Sequence, residues 1–172
     1  FTMGWTLFER MFAHAEESGE WTPFPWMLRG ESTALRESIP AGLPQGILHG
    51  DLFPDNVLGS EGKVTAILDL EEAWIGPRAF DLVMAYVGFG WDGTEPSEER
   101  WQALLSGYQS VRSLTEDEWS ALPNLHRYAT LSIAAWRYWK HNMSQPEEEL
   151  ADRYLEMVER LDVPLPFMEN RR

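Results

Sequence analysis

Three polar residues invite a chemical reading before anything else in the chain. Asp51 follows a short apolar run, Asn56 comes five residues later in "HGDLFPDNVL", and Asp69 closes the next apolar run. Between Asn56 and Asp69 lie Val57-Leu58, a Gly59-Ser60-Glu61-Gly62 turn, and an apolar return over Val64–Leu68. That pattern predicts a β-hairpin. A hairpin brings its two ends together, so Asn56 and Asp69 should be neighbours. One amide oxygen and one carboxylate suit Mg2+, a hard cation that takes oxygen ligands and keeps waters and phosphate oxygens. Asp51 would stand beside them, placed to accept a proton from a hydroxyl attacking phosphorus. Phosphoryl transfer asks chiefly for positioning and charge neutralisation. A lone loop aspartate is usually a turn or cap residue; the strand-terminal Asp69 at hairpin spacing is what favours chemistry here.

The elements that must hold these residues are mostly helical. Leu7, Phe8, Met11, Phe12 and Ala15 recur at helical spacing, with Gly19 as the stop. Residues 20–46 carry Pro23, Pro25, Pro40 and Pro44 and read as an irregular connection, with a short helix near Ser32–Glu37. "GILHG" (46–50) reads as a short buried strand. A loop with Gly76 and Pro77 leads to a buried helix over Phe80–Phe89. A helix starts at Ser97 and runs through Tyr108, and Thr115 with Glu118 forms a capping box. Leu125–Asn142 reads as a central buried helix, and about 147–161 as the last one. The predicted class is α+β, mostly helical, with one small hairpin at the polar loop.

Composition limits the function. The chain of 172 residues fits a single domain. Its net charge of −14, from 28 acidic and 14 basic side chains, argues against nucleic-acid binding, which needs clustered Lys and Arg. No cysteine is present, which excludes disulfides and thiolate metal sites. No apolar run reaches the roughly 20 residues of a membrane span and no signal peptide is visible, so a cytoplasmic protein is expected. Nine tryptophans are best read as packing residues. The chain begins with Phe1 rather than Met, as a fragment would.

"ILHGDLFPDNVL" followed by "TAILDLEEAWIGPRAFDLVMAYVGF" resembles the catalytic segment of the aminoglycoside phosphotransferase-like small-molecule kinases. Within that family it most resembles the type II homoserine kinases, and "LLSGYQSVRSLTEDEWSALPNLHRYATLSIAAWRYWKHN" resembles their tail. The resemblance runs from about Gly46 to Asn142 and implies a protein-kinase-like fold that uses ATP and Mg2+. It implies that Asp51 is the catalytic base and that Asn56 and Asp69 hold the metal. His49 would brace the catalytic loop, and Asp81 would hydrogen-bond the loop backbone from a helix start. Leu70 stands where the family usually has Phe after the metal aspartate, an apolar exchange.

The family's glycine-rich phosphate loop and strand lysine have no counterpart before His49. The only lysines, Lys63 and Lys140, fall in the hairpin turn and a late helix. Residues 1–172 are therefore expected to form the C-terminal lobe alone, with an exposed cleft for the missing N-terminal lobe or another chain. A homoserine-like substrate carries an ammonium, for which Asp55, Glu71 and Glu72 are candidates. Its carboxylate would want an arginine, and Arg137 is the candidate. Aminoglycosides, choline or sugars are competing substrates, and a non-catalytic kinase-fold binding module is the competing class.

Overall fold

In the computed structural model, which describes residues 2–169, the chain divides into two units. One comprises residues up to Ile39 together with Arg127–Asp162; the other comprises Pro40–His126 and the segment from Val163 onward. The polar loop belongs wholly to the second.

The first unit is helical. Helix α1 (Trp5–Ser18) buries Leu7, Phe8, Met11, Phe12 and Ala15, the predicted stripe, and ends on Gly19 at φ 71°. Glycine takes that left-handed cap without a Cβ clash. Helix α2 (Pro23–Ser38) corrects the irregular reading of residues 20–46. Its prolines sit in the first turn, where a helix has no use for their missing N–H groups. Behind them Phe24, Leu28, Ser32 and Leu35 repeat at helical spacing and are buried. The tryptophans here do more than fill a core. Arg10 lies over Trp139, Arg29 over Trp21, Arg36 over Trp5 and Lys140 over Trp136, so indole faces double as cation platforms.

The second unit carries three two-stranded antiparallel sheets. Strand β1 (Gln45–Leu48) pairs with β4 (Trp74–Pro77), Gly46 opposite Gly76. The expected loop around Gly76 is thus a strand. The expected burial of β1 is also corrected: only Leu48 is buried, and Ile47 faces outward beside Ile75 on its partner. A two-stranded ribbon protects one face only, so a run of apolar residues does not imply a central strand. Strands β2 (Val57–Ser60) and β3 (Lys63–Ile67) form the predicted hairpin. Its turn, Glu61-Gly62, has positive φ at both residues, as a type I′ turn requires. A register shift after Leu58 leaves Thr65 bulged, and its hydroxyl donates to the Leu58 carbonyl. A third ribbon pairs β5 (Trp91–Asp92) with β6 (Glu95–Pro96).

Helix α3 (Phe80–Phe89) is buried along nearly its whole length and packs against α4 (Glu98–Val111). Helix α5 (Glu116–Tyr138) joins what the sequence presented as two helices; Pro123 lies inside it. Trp139–Ser144 then winds as a π-helical turn. The expected helix over 147–161 is broken into short 3-10 turns around α6 (Leu155–Glu159), and a final turn, α7, covers Pro166–Glu169. No described helix is long and apolar enough to cross a membrane.

The start of α5 ties back to the polar loop's scaffold. The Glu118 carboxylate accepts the Thr115 N–H at 2.9 Å, while the Thr115 hydroxyl accepts the Glu118 N–H at 3.2 Å. The same buried carboxylate takes a two-pronged ion pair from Arg78, which links β4 to α3, at 2.7 and 2.9 Å. Arg78 and the Thr115 groups together hold the Glu118 carboxyl below the usual range, although burial opposes them.

Thr115→Ala removes half of the cap and should cost about 1 kcal/mol, lowering Tm by roughly 2–4 °C. Glu118→Ala removes the cap and strands Arg78, so its Tm should fall further. Thermal unfolding followed by circular dichroism checks the order; equal shifts would mean that the ion pair adds nothing to the cap.

Candidate active site

The loop between β1 and β2 is held by an aspartate more than thirty residues away in sequence. Asp81, in the first turn of α3, accepts the His49 N–H through Oδ2 at 2.7 Å and the Gly50 N–H through Oδ1 at 3.0 Å. Burial pushes its carboxyl up from the usual aspartate range, and these two N–H groups pull the other way. Gly50 has φ 85°, and a Cβ there would lie 2.6 Å from the Glu72 carbonyl oxygen. Only glycine fits, on both conformational and steric grounds.

His49 connects the loop to the far strand of the hairpin. Its Nδ1 accepts the Asp51 N–H at 3.2 Å, and its Nε2 lies 2.7 Å from the Leu68 carbonyl. A backbone N–H can only donate and a carbonyl can only accept. The two partners therefore assign the neutral Nε2–H tautomer. One imidazole thus ties the backbone of Asp51 to the residue just before Asp69.

Asn56 is oriented as tightly. Its Nδ2 donates to the Asp51 carbonyl at 2.8 Å and to Asp51 Oδ2 at 3.1 Å. The amide nitrogen therefore faces Asp51, and Oδ1 is the atom turned away from it. Half-buried Asp51 has its carboxyl raised above the usual range by burial; the Asn56 hydrogen bond opposes this, and the charges of Asp55 and Asp69 add to it. The hairpin register sets Val57 opposite Ile67, and the Leu68 N–H donates to the Asn56 carbonyl at 2.9 Å. Asp69 comes immediately after. It has φ 59°, a left-handed conformation that aspartate tolerates better than most residues. Its Oδ1 accepts the Glu71 N–H at 3.4 Å, and its side chain is exposed.

Among the described residues no three His, Cys, Asp or Glu side chains gather as a metal cluster. The loop offers instead one amide oxygen and one exposed carboxylate at the open end of a hairpin. This donor set fits Mg2+, which binds through one or two carboxylates plus phosphates and water rather than an all-protein cage.

The structure brings His49, Asp51, Asn56, Asp69 and Asp81 together around one loop, with exposed Asp55 and Glu71 and half-buried Glu72 on the flanking segments. Arg137 belongs to the other unit, where its guanidinium donates to Glu156 at 2.7 Å and to the Arg153 carbonyl at 3.1 Å. Sequence reasoning missed two features of the site. Gly50 stood unremarked beside Asp51, although a glycine inside a dense polar motif was a signal. Nothing local announced that Arg78 would reach Glu118.

A model described as Phosphotransferase enzyme family matches residues 4–114. The chain is 37% identical over 131 residues to the homoserine kinase of Rhizobium etli (strain CIAT 652), covering 74% of this chain and 40% of the relative. It is 38% identical over 112 residues to the homoserine kinase of Xanthobacter autotrophicus (strain ATCC BAA-1158 / Py2), covering 64% and 35%. The homoserine kinase of Gluconacetobacter diazotrophicus is 40% identical over 108 residues, covering 59% and 33%. The chain spans at most 40% of the length of these relatives. The family match takes in His49, Asp51, Asn56, Asp69 and Asp81 and well over half of the sequence, and the chain belongs to the phosphotransferase enzyme family.

Proposed function

We propose that the complete protein is an ATP-dependent kinase that phosphorylates the hydroxyl of homoserine or a similar amino alcohol. This chain would be its C-terminal, protein-kinase-like lobe. The observation that carries the reading is the Asp51–Asn56 hydrogen bond on a loop whose far end reaches Asp69 through His49 and Leu68. The names of the similar proteins favour homoserine as the acceptor.

In this reading Asp51 receives the proton of the acceptor hydroxyl as its oxygen forms a bond to the γ-phosphorus of ATP and the bond to ADP breaks. Asn56 Nδ2 steers the carboxylate. Asn56 Oδ1 and the Asp69 carboxylate would hold Mg2+, which when bound neutralises phosphate charge. His49 and Asp81 keep the loop backbone in register. Asp55, Glu71 and Glu72 supply negative charge for the substrate's ammonium group.

Exposed apolar side chains support the lobe assignment. Leu58, Val64, Ile67, Leu68 and Leu70, on and just after the hairpin, are each at least 41% exposed. A cavity of about 710 Å3 lies against the hairpin, lined by Leu52, Val57, Val64, Ile67, Leu82 and Phe89 among others. Uncovered apolar side chains concentrated on one hairpin, two of them (Val64 and Ile67) at the mouth of this cavity, mark a docking face, and we assign it to a nucleotide-binding lobe. Residues 1–172 alone should then bind ATP weakly and turn over little. A longer polypeptide carrying the upstream coding region should consume ATP with homoserine. Consumption with choline or an aminoglycoside instead would reassign the substrate, and robust turnover by residues 1–172 would overturn the lobe assignment.

In that complete enzyme, Asp51→Asn should lower kcat by about 10²–10⁴-fold with ATP affinity little changed, the loss of a general base. Asp69→Asn should instead weaken Mg2+-dependent nucleotide binding and be partly relieved by excess Mg2+ or Mn2+. Steady-state kinetics alongside nucleotide titration separates the two; near-normal turnover in both would leave the loop a mere turn.

Asp51 accepts a proton only as the carboxylate. Activity should fall as pH drops through its raised pKa, so the acid limb of kcat/KM should lie above the ordinary value of 3.8. A pH–rate profile in wild type, with the residual activity of Asp51→Asn lacking that limb, tests the assignment.

A further inference from the structure

Helix α3 touches the catalytic loop at a second point besides Asp81. Gly88 lies seven residues further along, about two turns, so both positions share one helix face. A Cβ on Gly88 would lie 3.1 Å from Cγ and Cδ1 of Phe53 and 3.2 Å from its Cα. The bare backbone of α3 at this position is therefore a seat for the Phe53 ring and for its main chain.

Phe53 has little room to yield. Its N–H donates to the Asp51 carbonyl at 3.0 Å, and its own carbonyl accepts the Asn56 N–H at 3.0 Å. The Asp51 carbonyl also accepts the Asn56 side chain. Any outward shift of Phe53 thus moves the backbone on which both Asp51 and Asn56 are mounted. A ring alone could rotate aside, but the close approach includes Cα. The loop is fastened at His49 and Gly50 by Asp81 and at Phe53 by Gly88, with Asp51 suspended between.

We infer that Gly88 and Phe53 are positioning residues for the phosphoryl-transfer step: the seat they form sets where the Asp51 carboxylate and the Asn56 amide stand. The inference rests on the kinase reading above for its kinetic consequences, but the geometry of the seat does not.

The test uses the complete enzyme as wild type, Gly88→Ala, Phe53→Ala and the double variant. Each is measured for kcat, for KM of ATP and acceptor, for Tm, and for the nitrogen and proton NMR shifts of the Asn56 side-chain amide, which donates to Asp51. Gly88→Ala should cut kcat by about 3–10-fold, the effect of a misplacement of a few tenths of an ångström, with both KM values nearly unchanged. Phe53→Ala should cut kcat by roughly tenfold for the same reason. In the Phe53→Ala background, adding Gly88→Ala should cost clearly less than it does alone, because the contacts with Cγ and Cδ1 are gone and only the 3.2 Å approach to the Cα of residue 53 remains. A Gly88→Ala loss of equal size in both backgrounds would overturn the inference, and so would wild-type kcat in either single variant. If Gly88→Ala does not fold, Phe53→Ala, whose side chain is only half-buried, decides alone. If the wild-type enzyme phosphorylates no acceptor, the kinase reading falls. The Asn56 amide signals then decide the positioning: a shift in either single variant upholds it, and unchanged signals in both refute it.

Discussion

The Asp81 carboxylate, shared between the His49 and Gly50 N–H groups, is the contact on which the rest of the site depends. Two consecutive amides pointing the same way cannot be satisfied by a strand partner. A loop carrying them needs an acceptor brought in from elsewhere, and an ionised carboxylate bonds both more strongly than a carbonyl would. The cost is the burial of a charge on a nearly apolar helix. The helix start offsets part of that cost, since its unpaired N–H groups favour negative charge. Once these amides are fixed, the left-handed turn at Gly50 follows, and with it the direction in which Asp51 leaves β1.

From that anchor the loop is organised by groups that each serve two partners. His49 bonds Asp51 on one side and Leu68 on the other. Asn56 bonds both the backbone and the side chain of Asp51. Glu118 takes both the cap of α5 and the Arg78 fork. Such shared polar groups resist small displacements because moving one breaks two bonds. Near a reaction centre, where positional tolerance is small, that resistance matters more than the net stability of any single bond.

The charge pattern fits the same picture. Asp51, Asp55, Asp69, Glu71 and Glu72 crowd one short stretch of a chain with a net charge of −14. Burial raises the proton affinity of Asp51, and the charges of Asp55 and Asp69 add to it. In the first unit Arg10, Arg29 and Arg36 lie over indole faces, and Arg127 and Arg137 pair with Glu31 and Glu156.

Local patterns in the sequence determined the hairpin, its turn, α1 with its glycine stop, α3 and the Thr115–Glu118 cap, because each depends on residues a few positions apart. The motif and its resemblance also marked His49, Asp51, Asn56, Asp69 and Asp81. Tertiary structure decided what local patterns do not encode. Prolines that read as breaks begin α2, because a helix's first turn leaves its N–H groups unbonded. Ile47 lies on an open ribbon face, since no second layer covers it, and the helix expected over 147–161 breaks into turns. Arg137 pairs with Glu156, and Arg78 finds Glu118 forty residues away. Gly88 received no notice as one small residue in an apolar helix; its meaning exists only because Phe53, from a distant loop, packs against the backbone it leaves bare.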